Sequence, residues 1–188
     1  MPVLAADVTT TLGAWRPRTR EQARLRGEYL AFVAGLGDDA LRRDAGPEHV
    51  TASCFVLSPD LRHVLLTLHR KGGFWVQLGG HVEDTDGSLV GAAEREAAEE
   101  GGIGRVRVLP EPVDLDRHAL SDRFGACRVH WDVGFVAFAE PGARPEVSDE
   151  SDDVAWFDVT VLPAAVPPGF GDRLAAAVAT VAERGTTP

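Results

Sequence analysis

Two cysteines in a chain of 188 residues are too few for a disulfide-held scaffold. Cys54 and Cys127 each fall in an apolar, strand-like run and read as reduced thiols in or near a core. Basic charge is short as well: nineteen Lys and Arg stand against twenty-nine Asp and Glu, a net charge of −10. That balance argues against a binder of nucleic-acid polymers or of anionic membranes, since either needs a basic patch. An anionic substrate would then need a metal, or local Arg and His, to be received. Long apolar runs are also missing. The longest weakly polar stretch near the end, residues 174–182, is far too short to span a bilayer. The opening MPVLAADVTTTLGAW lacks the basic segment and apolar core of a secretory signal, so cytoplasm is the expected location. There is no internal repeat and no low-complexity segment beyond an Ala-rich tail.

What is present is ordinary for a globular protein, with 44% hydrophobic and 26% charged residues. The length fits one domain with a sizeable core, extended by an arm. Residues 17–43 have helical composition, with Leu25, Tyr29, Phe32, Val33 and Leu36 at helical spacing, a stripe suited to packing on the domain or on a homodimer partner. Gly46-Pro47 is a break, placing an arm at 1–47 and a catalytic domain at 48–188. Short β-type runs follow: TASCFVL (51–57) and HVLLTLH (63–69) around a Ser58-Pro59-Asp60 turn, then FWVQL (74–78). VRVLP (106–110), the run 127–139, VAWFD (154–158) and a helix over about 172–183 complete the pattern. Mixed strands around an internal helix, with a terminal helix, predict an α/β/α sandwich.

The chain is organised around residues 79–103, GGHVEDTDGSLVGAAEREAAEEGGI. Ser88 is a helix-cap candidate, Leu89, Ala92 and Ala93 begin an apolar stripe, and Gly101-Gly102 should stop the helix. At about 100° per residue, Glu96, Glu99 and Glu100 continue that stripe, so the core-facing side turns acidic toward the helix C-terminus. Such carboxylates repel one another and meet the negative end of the helix dipole. A hard divalent cation relieves both, because Mg²⁺ takes oxygen ligands and bridges carboxylates to phosphates. The plainer alternative is a solvated acidic face with an i,i+4 pair between Arg95 and Glu99.

These residues resemble the Nudix box: Gly, five residues, Glu, seven residues, then Arg-Glu-aliphatic-any-Glu-Glu-any-Gly-aliphatic. Gly80 matches the first glycine, and Arg95, Glu96, Glu99, Glu100, Gly102 and Ile103 match the second half. Three departures stand out. Asp86 replaces the first acid, eight residues rather than seven separate it from Arg95, and Ala97 takes the aliphatic position. With its flanking strands the resemblance covers roughly residues 50–160.

The resemblance implies a Nudix-type sandwich and hydrolysis of a nucleoside diphosphate linked to another group, with Mg²⁺ or Mn²⁺. Glu96, Glu99 and Glu100 would hold the metal, joined by the Gly79 carbonyl, while Arg95 orients Glu99 or a neighbouring acid. The general base is either Glu96 or a carboxylate of the 148–153 loop, where Glu150 is the choice. The likeness also leaves open a nucleotide-derivative sensor without turnover, or an isoprenoid diphosphate isomerase needing a placed cysteine. Strand alternation in RVHWDVGFVAF puts His130 and Asp132 on one face, opposite Val129, Trp131 and Val133. With His118, Gln77, His81 and Trp75 they are the candidate substrate contacts, Trp75 for stacking a base. Glu83 and Asp86 could hold the box loop or a metal-bound water. No ligand set with zinc-site spacing appears.

Overall fold

Alternating β-branched, aromatic and polar residues build a sheet in which each strand offers one face to each helical layer. The computed structural model describes residues 4–104, 106–147 and 151–185. Its strands are β1 (Glu48–Leu57), β2 (His63–His69), β3 (Phe74–Val76), β4 (Leu78–His81), β5 (Val106–Val108), β6 (Asp114–Ala119), β7 (Val129–Ala139) and β8 (Ser151–Asp158). Its helices are α1 (Leu4–Ala14), α2 (Arg20–Leu36), α3 (Leu89–Gly101) and α4 (Phe170–Arg184).

One mixed sheet runs in the order β3-β2-β1-β7-β5, with β4 added at β1, β6 at β7 and β8 at β2. β1 and β7 are parallel from Glu48↔Val129 to Leu57↔Phe138. The other pairings among the described residues are antiparallel. On one face Val50, Ala52, Cys54 and Val56 share a core with Val8 and Leu12 of α1, Tyr29 and Val33 of α2, and Leu89, Ala92, Ala93 and Ala97 of α3. On the other, Phe55 and Leu57 pack with Phe170, Leu174, Ala177 and Val181 of α4. This is the expected α/β/α sandwich with N-terminal helices. The first half of that second face is different: His49, Thr51 and Ser53 of β1 are buried polar residues.

The structure refines three expectations. The helical stretch at 17–43 is α2 followed by a 3-10 turn at Gly37–Ala40, and a separate α1 precedes it. Three consecutive threonines hide α1 from a propensity reading, although Val8 and Leu12 are fully buried and Trp15 nearly so. FWVQL is two strands, because β3 pairs with β2 while β4 pairs with β1, and Gln77 lies between them. β6, with the charged sequence DLDRHA, gave no strand signal and is held by pairing along β7 from Asp114↔Gly134 to Ala119↔Val129.

Candidate functional site

Helix α3 starts at Ser88, whose hydroxyl accepts the Gly91 N–H at 3.0 Å, and Asp7 of α1 accepts the Leu89 N–H at 2.8 Å. It ends at Gly102, in the left-handed region at φ 56°, whose N–H reaches the Ala98 carbonyl. Small Ala92, Ala93 and Ala97 bring the helix close against the sheet, and a Cβ on Gly101 would come within 2.8 Å of Leu78. That approach sets the acidic end of α3 on the Gly79-Gly80 pair of β4. The Gly79 N–H donates to Glu100 Oε2 at 2.9 Å, and a Cβ on Gly80 would lie 2.6 Å from Glu96 Oε1. A Cβ on Gly79 would overlap Ser53 across the ladder. Gly79 therefore requires glycine on steric grounds, because its Cβ would strike backbone, whereas a Cβ on Gly80 would displace only the carboxylate end of Glu96.

Glu96 and Glu100 are buried, whereas the Glu99 side chain is 61% exposed. The expectation that all three continue the core-facing stripe is thus corrected for Glu99, which lies on the flank of the helix. Arg95 gathers the acids. It donates twice to Asp86, each at 3.0 Å, and also to Glu96 at 3.1 Å and Glu99 at 3.0 Å. Its remaining contacts are the His81 carbonyl at 2.9 Å and Glu83 at 3.9 Å. Hydrogen bonding to Asp86 raises its pKa, with Glu96 adding to the effect against burial. Asp86 also accepts the Glu83 N–H at 2.8 Å, so the lengthened box loop is closed on its own acid. Glu83, Asp86, Glu96 and Glu99 thus surround a single guanidinium, while Glu100 is held on the Gly79 N–H. Hard oxygen donors in net negative excess suit a divalent cation such as Mg²⁺ or Mn²⁺.

A second polar region covers the sheet face toward α4. Asp132 accepts from Thr51 at 3.0 Å, Ser53 at 2.5 Å and Gln77 at 3.4 Å. Arg173 of α4 pairs with Asp114 and with Asp116 at 2.9 Å, and approaches Asp132 at 3.8 Å. Burial raises the Asp114 pKa even though Arg173 opposes it. For Asp116 burial also pushes up, but the His118 hydrogen bond and Arg173 hold the value below normal. Burial would lower the pKa of His118, and the Asp116 bond at 3.0 Å overcomes that and raises it.

His118 and His130 are direct cross-strand partners, as are His130 and His49, while His81 sits opposite Thr51. All four rings therefore emerge on one sheet face. Burial lowers the His81 pKa to about 4 and the His130 pKa to about 2, with neighbouring histidines contributing.

The structure thus brings Gly79, Arg95, Glu96, Glu99 and Glu100 together, and separately gathers Gln77, His81, His118, His130 and Asp132. Trp75 stands apart from both, edge-on to Phe157 at 4.8 Å beside the second core. Glu150 and its neighbours 148–149 lie outside the described residues. The cysteines are free and buried. Burial pushes the Cys54 thiol up, with Glu100 adding to it. Sequence reasoning missed His49, Asp114, Asp116 and Arg173. The polar alternation of His49, Thr51 and Ser53 along β1, and an arginine just before the Ala-rich stretch of α4, were the available signals.

The sequence matches the model of the NUDIX domain over residues 47–176. No curated protein matches it. Among solved structures it is similar to a NUDIX-family hydrolase from Clostridium perfringens, at 23% identity and a TM-score of 0.57, covering 71% of this chain and 97% of that one. It is also similar to an Ap4A hydrolase from C. elegans, at 16% identity and a TM-score of 0.60, covering 71% and 98%. A third is an ADP-ribose pyrophosphatase from Streptococcus suis, at 20% identity and a TM-score of 0.51, covering 70% and 90%. At these identities the likeness is one of fold.

Proposed function

The chain belongs to the Nudix family of pyrophosphohydrolases, and from that premise we propose that it cleaves a phosphoanhydride in a nucleoside diphosphate linked to another group. The observation that carries this reading is the burial of Glu96 and Glu100 against Gly79-Gly80, with Arg95 clamped beside them by Asp86. Glu96, Glu99, Glu100 and the Gly79 carbonyl would hold Mg²⁺ or Mn²⁺, which when bound neutralises phosphoryl oxygens and makes water more nucleophilic.

The protein's own residues divide the remaining work. Arg95 is a positioning residue: its contacts are all to protein acids and to the His81 carbonyl, so it fixes the carboxylates and the box loop. The proton from the attacking water goes to Glu150, or to Glu96 in its place. Among the substrate contacts we retain Gln77 and also His118, whose raised pKa favours the form that donates to phosphate. Asp132, occupied by Thr51 and Ser53, positions Gln77.

The two neighbours with stated substrates act on Ap4A and ADP-ribose, both of which carry the required diphosphate. A cytoplasmic location belongs to the same proposal, and among the described residues no helix is long and apolar enough to cross a membrane.

The test is turnover with Mg²⁺ or Mn²⁺ across nucleoside triphosphates, diphosphate sugars and dinucleotides, with Glu100→Gln alongside. Release of a phosphomonoester or pyrophosphate by the wild type, falling about 100-fold or more in the variant, supports the reading. A folded wild type that binds these nucleotides with Mg²⁺ yet releases nothing would instead make the protein a sensor.

A further inference from the structure

Four residues far apart in sequence converge at one end of the sheet. His49 is the second residue of β1, His81 ends β4, His130 is the second residue of β7, and Cys127 lies two residues before β7. Ladder pairing places the three histidines on the same face, with ring centroids 4.9 Å (His49 to His81), 5.0 Å (His49 to His130) and 5.2 Å (His81 to His130) apart. One nitrogen from each ring and the Cys127 sulfur all lie within 4.8 Å of one another.

As plain core packing this arrangement is unfavourable. His49 is completely buried, and neither of its ring nitrogens has a hydrogen-bond partner of acceptable geometry, although the Gly46 backbone approaches the ring. Nε2 of His81 and Nε2 of His130 are likewise buried and unpartnered. Each such atom costs about 1–3 kcal/mol of unrecovered desolvation, and native proteins leave few of them. Apolar side chains would fill the same space without that loss. The atoms need a shared partner that accepts lone pairs from three imidazoles and a sulfur.

We propose that His49, His81, Cys127 and His130 form a structural zinc site, separate from the carboxylates of α3. The donor set decides the metal. Three nitrogens and one sulfur, with no carboxylate, match the borderline-soft, four-coordinate preference of Zn²⁺ and not the hard oxygen preference of Mg²⁺. Four protein ligands leave no open position, which marks a structural centre and not one that presents a water. Bonds of about 2.0–2.3 Å put tetrahedral ligand atoms about 3.5 Å apart, so the set has to tighten by roughly an ångström on binding. Binding releases the thiol proton of Cys127 to solvent as the sulfur becomes a thiolate ligand.

The site would staple β1, β4 and β7 at one end of the sheet. It would also reach the box, because the carbonyl of His81 accepts from Arg95. Spacing rules miss it, since the ligands span residues 49–130 and only sheet pairing unites them.

The full-length protein, freed of metal by chelation, is titrated with Co²⁺ in excess Mg²⁺ and then with Zn²⁺. The expected result is one equivalent of Co²⁺ giving intense tetrahedral ligand-field bands and a thiolate-to-metal charge-transfer band, both removed by one equivalent of Zn²⁺. Cys127→Ser should lose the charge-transfer band, and His49→Gln should bind Co²⁺ more than about 100-fold more weakly. Should either variant fail to fold, the wild-type spectrum still decides. A folded wild type with no charge-transfer band overturns the proposal, as does a band that survives in Cys127→Ser.

Discussion

Two arginines, each ringed by acids, divide the labour of this molecule in opposite ways. Arg95 serves Asp86, Glu96 and Glu99 at a site whose rim is open, with Glu99 and Glu83 both well exposed. Arg173 of α4 serves Asp114, Asp116 and Asp132, whose side chains are 9%, 31% and 5% exposed. The open cluster keeps more negative charge than its arginine cancels and can receive a cation and a phosphate. The closed cluster spends its arginine on holding β6, β7 and α4 together. An acid cluster around one arginine is therefore not by itself a sign of chemistry; its access to solvent decides what it does.

The comparison breaks most easily at Arg173. Arg173→Leu leaves Asp114 and its neighbours buried without their counter-charge, and should destabilise the protein by about 3–5 kcal/mol in chemical denaturation at neutral pH. The pH dependence has a definite sign. Burial already raises the Asp114 pKa, and losing Arg173, which lowers it, raises it further above the unfolded value of about 3.9. The folded variant then binds its proton at higher pH than the unfolded chain does. Its deficit should therefore shrink as the pH falls through the folded pKa, and reopen as the pH rises. A deficit that does not move with pH would mean that lost packing against Phe55, 5.9 Å from the guanidinium, is the larger effect.

Arg95→Lys is the matched perturbation of the open site. A lysine cannot make the bidentate contact to Asp86, so the box loop and Glu99 lose their common anchor while net charge is conserved. The expected outcome is a fall in kcat of about 10–100-fold with little change in KM, because the residue positions others and does not touch substrate. Stability should change by about 1 kcal/mol, since the charge opposite Asp86 is kept. A raised KM at unchanged kcat would instead place the guanidinium on the substrate.

Gly80→Ala asks the same question from the other side of the cleft. The added methyl meets the carboxylate tip of Glu96 and not backbone, so the side chain swings away and the fold survives. Turnover should drop by about tenfold, the lower end of the range for a displaced or unsupported ligand. An unchanged rate would remove Glu96 from the metal set and leave Glu99 and Glu100 to carry it.

How legible each region was follows from how it is built. The open site draws on β4 and α3 within residues 79–102, so helix periodicity, the Ser88 cap and the Gly102 stop were enough to place Glu96 and Glu100. They were not enough for Glu99, one helical step past the edge of the apolar stripe and paired to Arg95 outside it. The closed cluster and the histidine set depend on which strand lies beside which. The parallel pairing of β1 with β7 that joins His49 to His130 is a long-range fact of topology, and β6 hides its strand character under DLDRHA. The layers were readable because they rest on alternation and amphipathic faces, properties of each segment alone.

The smallest expected effect lies at the far end of α3. Ser88→Ala removes the acceptor for the Gly91 N–H, and a lost cap of this kind costs about 0.5–2 kcal/mol. The lower half of that range is expected here, because Asp7 of α1 still accepts the neighbouring Leu89 N–H. Asp7→Ala should cost a similar amount, and the double variant more than the sum, since each cap partly covers for the other. Urea midpoints of the four proteins measure this. Turnover should change less than about threefold in either single variant, because the carboxylates sit near the opposite terminus, held by Gly102, Gly79 and Arg95. A tenfold loss on capping variants alone would show that the metal-site geometry is set from the N-terminus of α3, and that α1 is part of the catalytic architecture.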